Sequence, residues 1–521
     1  MHASRYSNKL NLKNHLPFIF LLILLAAFCV FYALHAEMEF DEGYNLQIPY
    51  HLSQGEGYRT HSGKLFDAYI TTGFPVLVPI AISFWGLGAS LFQARLVMII
   101  YFLLFFYGTY LLLSKLTSRT AALASLLPLL LLPNLFGYGL KVLGEVPGAV
   151  FFLFAVLLLD QRRYLLSGVL LALAGLTKLV YLIALGPVGL WFLIELIKAR
   201  QTARHAQAQV IRSAASLLIG FLLPIIGWES LRFFQLGFEG YRANLLHTGH
   251  MFLRFQIDSR MGFDDILQNI SMLRAPFGIL PGIVIAGLIG FSLLLPLLAF
   301  TRRYLKQTGE SASLSSRFIL PALCVVFLLW WVFISDNGYW RHLFPAFLFI
   351  MPQIGYFSVS VISRAVAYLR GFNHFSLASA SRAALGLVIL LGTAWVYIPL
   401  IQRQSAALYH ETAETILPYQ EQFAGEIAKL DQAGAKFGYW DWWQAPEISF
   451  LTRTHFYDIS QQDHRKALND YQEEGHPVYC IVTPVQEALD EGSVEWLFDQ
   501  KMCEKQEFVD IGGFKLYPFI Q

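Results

Sequence analysis

Long apolar runs separated by short polar segments make up most of the chain. The first run, residues 16–36, follows a segment that contains basic side chains and no acid. The run matches the roughly 20 residues that a bilayer requires, and no small-residue cleavage site follows it. We therefore interpret it as a retained transmembrane helix rather than a signal peptide. The later runs predicted to span the membrane are 93–113, 120–136, 146–159, 165–178, 179–197, 211–231, 277–299, 318–335, 343–363 and 383–401.

A shorter apolar run, 76–87, follows the sequence Thr72-Gly73-Phe74-Pro75 and is predicted to be a juxtamembrane or re-entrant helix. The distribution of Lys and Arg supports this choice, because cytoplasmic loops of membrane proteins carry an excess of basic residues. With about 11 spans, every strongly basic loop falls on the side of the amino terminus. A full span over 74–87 would place those loops outside. The pattern thus predicts a cytoplasmic amino terminus and an extracytoplasmic first loop, residues 37–91.

The last part of the chain, residues 402–521, is polar and aromatic and contains no predicted span. Its periodicity predicts helices over 411–434, 463–474 and 491–501, and short strands over 436–440, 455–459, 478–482, 508–511 and 514–517. This mixture is typical of a small α/β domain. The expected fold is therefore an all-α polytopic membrane protein with about 11 transmembrane helices, residues 1–401, and a small C-terminal α/β extracytoplasmic domain, residues 402–521.

Composition agrees with this architecture. The 521 residues are 56% hydrophobic and 14% charged, whereas soluble domains carry about 25% charged residues. A net charge of +2 gives no reason to expect a nucleic-acid partner. Cys29 and Cys324 lie in apolar runs and are predicted to be buried thiols. Cys480 and Cys503 lie in the polar tail and could form a disulfide if that tail faces an oxidising compartment.

Acidic residues at the predicted outer face are the first candidates for chemistry. Asp41 and Glu42 follow the first span directly and precede an amphipathic stretch that would hold them at the membrane surface; the alternative is a solvated pair in a loop. Glu145 begins the fourth span, where an ionisable side chain is costly enough to indicate a function. The alternative for Glu145 is an ion pair with Lys141, four residues earlier on one helical face.

Basic residues are predicted to share that outer face. They are Lys64, Lys178, Arg341 and His342, and, in the long loop 232–276, Arg242, His247, His250, Arg254 and Arg260. Acids beside cations suit the transfer of a group from a phosphate, because a carboxylate can deprotonate the acceptor while cations stabilise the departing phosphate. The loop cations could equally contact anionic lipid headgroups. His247 and His250 have a spacing that metal ligands use, but two histidines do not define a metal site.

The order of these features resembles the GT-C glycosyltransferases, specifically the protein mannosyltransferase-like branch that includes bacterial aminoarabinose transferases. The resemblance covers roughly residues 16–400. It is carried by the order of the first span, Asp41-Glu42-Gly43-Tyr44, Thr72-Gly73-Phe74-Pro75, Gln93-Ala94-Arg95-Leu96, the acid that begins span four, and Arg341 ahead of Pro345.

The resemblance implies an integral protein of the bacterial inner membrane that uses a polyprenyl-phosphate-linked sugar at the outer leaflet, with inversion at the anomeric carbon. It assigns Asp41 as the acceptor-activating base, with Glu42 beside it, and Glu145 as the second acid. In many relatives a proline follows the second acid directly, whereas here Val146 intervenes before Pro147. Metal use varies in the superfamily, so no cofactor is assigned and a divalent metal stays open.

The phosphate-binding residues of the family are assigned through the same resemblance. Lys64 and Arg341 are the preferred ligands of the donor phosphate, followed by His247 and Arg254. Asp67 and Trp442 are candidates for contact with the acceptor or a sugar; for Trp442 the alternative is a packed aromatic cluster. The acceptor could be a lipid, a glycan or a protein. Two other functions remain as alternatives, a polytopic secondary transporter and a non-catalytic GT-C-like lipid-binding protein.

Overall fold

The fold was analysed in a computed structural model. It describes residues 15–68, 70–202, 204–256, 266–269, 290, 316–335, 340–370, 398, 401–406, 408–409, 416–439, 445–459, 462–482, 498, 502–505, 508–511 and 514–520. The helices up to residue 256 are α1 Leu16–His35, α2 Phe40–Ser53, α3 Phe74–Leu87, α4 Leu91–Leu116, α5 Arg119–Ala124, α6 Leu127–Leu130, α7 Leu135–Leu140, α8 Glu145–Asp160, α9 Tyr164–Thr177, a 3₁₀ helix Leu179–Ala184, α10 Leu185–Thr202 and α11 Arg204–Gln256. Two further apolar helices are α12 Ser316–Phe333 and α13 Trp340–Arg370.

Within the part of the chain that the structure describes, five helical segments are long and apolar enough to cross a membrane. They are Leu16–His35, Leu91–Leu116, Leu179–Gln201, Arg204–His250 and Arg341–Ser363. The helix α3 has only 14 residues, so the prediction of a short helix after Pro75 is confirmed as to length. The predicted spans 277–299 and 383–401 lie almost wholly outside the described residues, and the count of about 11 stays a prediction.

The predicted span over 120–136 is not one continuous helix, because the chain there forms three short helices, α5, α6 and α7. Pro128 lies in the first turn of α6 and has no N–H with which to continue the hydrogen bonds of α5. Asn134, ahead of α7, adopts a left-handed conformation with φ of 58°. Asparagine tolerates this conformation, which no α-helix can include.

The predicted turn between the runs 165–178 and 179–197 is present. The helix α9 ends at Thr177, and Lys178 is extended, with φ of −153° and ψ of 122°. The 3₁₀ helix then leads into α10. A lysine is thereby held at a break between two apolar helices rather than on the side of one.

The carboxyl-terminal segment forms a five-stranded sheet. Its elements are α14 Ile416–Gln432, β1 Lys436–Tyr439, α15 Ala445–Thr452, β2 Phe456–Asp458, α16 Gln462–Glu473, β3 Val478–Val482, β4 Val509–Ile511 and β5 Phe514–Pro518. The strand order is β2-β1-β3-β5-β4, parallel from β2 to β3 and antiparallel at β5 and β4. Every predicted strand is found within two residues of its bounds. The predicted helix 491–501 lies outside the described residues except for Phe498.

Cysteine pairing also agrees with the sequence. Cys480 on β3 forms a disulfide with Cys503, and Cys29 and Cys324 are free and buried. The disulfide ties the segment 502–505 to the middle of the sheet.

The short helix α15 joins the sheet segment to α2. Phe450 is buried in a cluster that includes Leu46 and Ile48 of α2. Arg453 donates to the carbonyl oxygen of Ala89 at 2.9 Å, and its guanidinium carbon lies 4.6 Å from the centre of the Tyr50 ring. The carboxyl-terminal segment therefore packs against the helix whose first turn contains Asp41.

Candidate active site

The helix α2 presents Asp41 at its amino-terminal end. Glu39 precedes the helix in an extended conformation, and Asp41 and Glu42 occupy the first turn. Acidic side chains are favoured there because they lie beside the unpaired N–H groups and the positive end of the helix dipole. The side chain of Asp41 is 29% exposed, whereas that of Glu42 is fully buried. Neighbours in sequence thus occupy different environments.

The helix α8 presents Glu145 in the same way. Gly144 precedes it with φ of +82°, a conformation that favours glycine, and Glu145 is the first helical residue. Lys141 therefore lies outside α8, and its ammonium is 3.5 Å from Glu39 rather than paired with Glu145. The alternative of a Lys141–Glu145 pair on one helical face is wrong, because the two residues do not belong to one helix.

Glu145 is fully buried and its carboxylate binds two cations. Its Oε1 accepts from the Nζ of Lys178 and, at 2.9 Å, from the Nε of Arg341. Its Oε2 is buried and has no hydrogen-bond partner among the residues that the structure describes. The hydroxyl of Tyr181 donates to the backbone oxygen of Glu145 at 2.5 Å. The start of α8 is thus fixed by Tyr181, and both cations bind the same carboxylate oxygen.

Arg341 connects the two acids that the sequence analysis singled out. Its Nη1 donates to Oδ2 of Asp41 and lies 3.8 Å from Glu39, while its Nε binds Glu145. We call the group formed by these side chains the charged cluster: Glu39, Asp41, Lys141, Glu145, Lys178 and Arg341. Its three acids and three cations balance in formal charge.

Glu42 does not join the charged cluster. It forms a bidentate pair with Arg95 of α4, at 3.0 Å and 2.6 Å, and both side chains are fully buried. Arg95 also donates to three backbone oxygens at the end of α1 and just beyond it, those of Ala33, Ala36 and Glu37. The pair ties α1, α2 and α4 together. It supports the position of Asp41 and leaves Glu42 no exposed oxygen for a substrate.

Lys64 and Asp67 form a separate group beside α2. The Nζ of Lys64 is 3.1 Å from Oδ1 of Asp67, and the hydroxyl of Tyr44 donates to Oδ2 at 2.7 Å. The side chain of Lys64 is 49% exposed, and that of Asp67 is buried. Because Tyr44 follows Asp41 by three residues, this group lies along the same helix, about one turn from the base candidate.

The structure gives less detail for the other residues that the sequence predicted for the site. His247 lies in α11 and is half-buried, and His342 follows Arg341 in α13. The side chain of Arg254 and the whole of Trp442 lie outside the described residues. Among the described residues, no three His, Cys, Asp or Glu side chains are grouped so that they could hold a metal ion.

Two residues of the site region were not assigned a role from sequence. Lys178 was one cation among many, and its signal was its position between two apolar runs. Arg95 had a plainer signal, a lone arginine near the start of an apolar span, which in a membrane protein indicates a buried partner. That partner is Glu42, 53 residues away in the chain.

The described helices form a polytopic membrane protein whose fold is similar to that of solved GT-C structures. The particular structures that it resembles are those of ArnT, a GT-C aminoarabinose transferase, from Cupriavidus metallidurans. The complex with undecaprenyl phosphate matches with a TM-score of 0.57 at 13% identity, covering 96% of this chain and 98% of ArnT. The apo structure matches with a TM-score of 0.59 at 13% identity, covering 96% and 97%. No protein-family profile and no curated protein sequence matches the chain.

Proposed function

We propose that the protein is an inverting glycosyltransferase that moves a sugar from a polyprenyl-phosphate carrier to an acceptor at the extracytoplasmic face of the membrane. The observation that carries this proposal is the joining of Asp41 and Glu145 by one guanidinium, that of Arg341. These residues are 300 and 196 positions from Arg341 in the chain. A partly exposed carboxylate beside partly buried cations is the combination that such a transfer requires.

In the proposed reaction Asp41 accepts the proton of the acceptor hydroxyl. The acceptor oxygen attacks the anomeric carbon from the side opposite the phosphate. The bond between that carbon and the phosphate oxygen breaks, and its electron pair leaves with the phosphate. Arg341 and Lys178 stabilise the phosphate charge, and a single displacement of this kind inverts the anomeric carbon.

Glu145 has a different task in this scheme. Its Oε1 orients Lys178 and Arg341, and its buried Oε2 accepts a hydrogen bond from a hydroxyl or amine of the donor sugar or the acceptor. A buried carboxylate oxygen without a partner costs free energy, so a substrate group that reaches it is strongly favoured.

The carrier is proposed from the comparison and from charge. One of the similar ArnT structures is a complex with undecaprenyl phosphate. We infer a phosphate of the same class here, held by Arg341 and Lys178, with Lys64 at the mouth of the site because its ammonium is half exposed. His247 and Arg254, both on α11, are further candidates for contact with the carrier.

The side of the membrane on which the site lies is proposed from the carboxyl-terminal segment. Disulfides persist in oxidising compartments, so the Cys480–Cys503 bond supports a sheet outside the cytoplasm. Because α15 packs against α2, the sheet and Asp41 belong to the same side of the membrane. The acceptor is then a lipid, a glycan or a protein of the cell envelope.

A transfer assay tests the proposal. Purified protein in lipid nanodiscs is incubated with radiolabelled polyprenyl-phosphate sugars and with lipid, glycan and protein fractions in parallel. We expect label to move from the carrier to one fraction. Carrier binding without transfer in any fraction would favour the non-catalytic lipid-binding alternative. Uptake of a free solute into sealed proteoliposomes without transfer would favour the transporter.

A further inference from the structure

We propose that the donor phosphate binds by displacing Asp41 from Arg341, so that arrival of the donor is what frees the base. The inference rests on the proposed function and goes further, because it assigns an order to substrate binding and a closed state to the site. In that closed state, which is the one the structure describes, the base Asp41 is paired with the phosphate-binding cation Arg341.

The first step concerns the hydrogen bonds of Arg341. A guanidinium binds a phosphate best through two parallel N–H groups, and each of its two bidentate edges includes either Nε or Nη1. Nε donates to Glu145 and Nη1 donates to Asp41. Nε has a single N–H, so a phosphate at that edge has to displace Glu145. Nη1 has two, but a phosphate at the edge of Nη1 and Nη2 brings its oxygens beside Asp41, and the repulsion between two anions favours the departure of one carboxylate.

The second step decides which carboxylate leaves. Glu145 is fully buried and holds Lys178 as well as Arg341, so its displacement would leave a buried anion with one cation fewer. The side chain of Asp41 is 29% exposed, so water can replace part of the hydrogen bonding that it loses when it leaves Arg341. Glu39 lies further from Nη1, at 3.8 Å, and keeps Lys141 at 3.5 Å. Asp41 is therefore the group that phosphate exchanges with.

The third step is the chemical consequence. While Asp41 is paired, its Oδ2 accepts a hydrogen bond from Nη1 of Arg341. That oxygen is then not available to accept the proton of an acceptor hydroxyl that reaches the site. Once phosphate binds Arg341, Asp41 is released close to the place where the acceptor must bind. The exchange also keeps the cations paired throughout, since a phosphate oxygen replaces a carboxylate oxygen.

The affinity of the protein for sugar-free polyprenyl phosphate tests this exchange. The dissociation constant is measured in detergent micelles for the wild type and for Asp41→Asn, Asp41→Ala, Glu56→Gln and Arg341→Gln. Glu56 supplies the matched control, because it is an acid of the same loop that pairs with Arg59 and His51 and not with the charged cluster. The second Asp41 variant is included so that a folding defect of one does not end the test.

We expect both Asp41 variants to bind polyprenyl phosphate about two- to fivefold more tightly than the wild type, the range for loss of one competing, partly exposed ion pair. Glu56→Gln should bind as the wild type does, and Arg341→Gln at least about tenfold more weakly. Equal or weaker binding by folded Asp41 variants would overturn the exchange while leaving the proposed transfer intact. If the wild type itself neither binds the phosphate nor transfers sugar, the proposed function fails, and the exchange fails with it.

Discussion

At the scale of single residues, two neighbouring acids are used in opposite ways. Glu42 is sealed in a pair with Arg95, and Asp41 is partly exposed and paired with Arg341. Sequence could predict that Asp41, Glu145 and Arg341 belong at one face, because topology and charge placed them there. It could not separate Asp41 from Glu42, since the partner that buries Glu42 lies in another helix.

The Glu42–Arg95 pair should be required for stability. Replacing Arg95 by Met leaves a fully buried carboxylate without its cation, a change that costs about 3–5 kcal/mol. We expect a clearly lower melting temperature in detergent and a lower rate of transfer, because α2 loses its anchor to α1 and α4. Arg59→Met, which breaks an exposed pair with Glu56, serves as the control and should change little. An Arg95→Met protein that melts like the wild type would contradict this assignment.

The histidine pair formed by His51 of α2 and His61 of the segment that follows it predicts a pH dependence. Nε2 of His51 lies 2.8 Å from Nδ1 of His61. Burial, and then the charges of His51, Arg453 and His455, lower the pKa of His61 from 6.5 to about 3, while Glu56 opposes the shift. Below pH 6.5 the unfolded chain takes up a proton at His61 that the folded protein refuses until about pH 3. Stability contributed by neutral His61 is therefore lost as pH falls through that window.

Thermal melts between pH 7.5 and 4.5 test this dependence. The melting temperature of the wild type should fall as the pH is lowered, and that of His61→Gln should fall less. The variant should keep part of the dependence of melting temperature on pH, because burial also lowers the pKa of His455, to about 4. Identical slopes for the two proteins would show that His61 does not supply the effect.

At the scale of elements, hydrophobic patterning was a good guide where an element is regular. The strands of the sheet and the short helix α3 fall where period and length predict them. Patterning failed over 120–136, where the run is apolar throughout but Pro128 and Asn134 interrupt the backbone. Hydropathy measures how favourably a segment partitions into lipid. It carries no information about the backbone hydrogen bonds that decide whether the segment is one helix.

Gly73 makes the contact that joins α3 to the end of α9. Its N–H donates to the carbonyl oxygen of Thr177 at 2.9 Å, and a Cβ there would lie 1.7 Å from the carbonyl oxygen of Leu176. Gly73→Ala should therefore destabilise the protein by about 1–3 kcal/mol. It should also lower transfer, because Lys178 follows Thr177 directly.

Gly86→Ala is the matched control for this prediction. Gly86 lies in the same helix, α3, and a Cβ built there meets nothing within 4 Å. Melting temperatures of the two variants in one detergent give the comparison. Equal effects of the two substitutions would mean that the close approach at Gly73 does not matter.

At the scale of the whole molecule, the sequence predicted the class of fold, and the similarity to ArnT over 96% of the chain agrees with it. What it could not supply was the assembly of the site. Glu145 and Lys178 meet across 33 residues, and Asp41 and Arg341 across 300. Contacts at such separations depend on how the helices pack, and periodicity along one helix carries no information about its neighbours.

The packing of α15 on α2 is the other large-scale feature. Arg453 lies in this contact, with its guanidinium over the rings of Tyr50 and Phe450. Because α2 also carries Asp41, the sheet segment is coupled to the position of the proposed base.

Transfer by the Asp41→Asn protein tests the central claim most directly. The variant is purified beside the wild type, shown to be folded by its melting temperature and its binding of polyprenyl phosphate, and assayed with a radiolabelled polyprenyl-phosphate sugar. We predict a loss of transfer of about 10²- to 10⁴-fold, the range for removal of a general base, with binding of the carrier retained. Transfer at a near wild-type rate by this folded variant would contradict the assignment of Asp41 as the base.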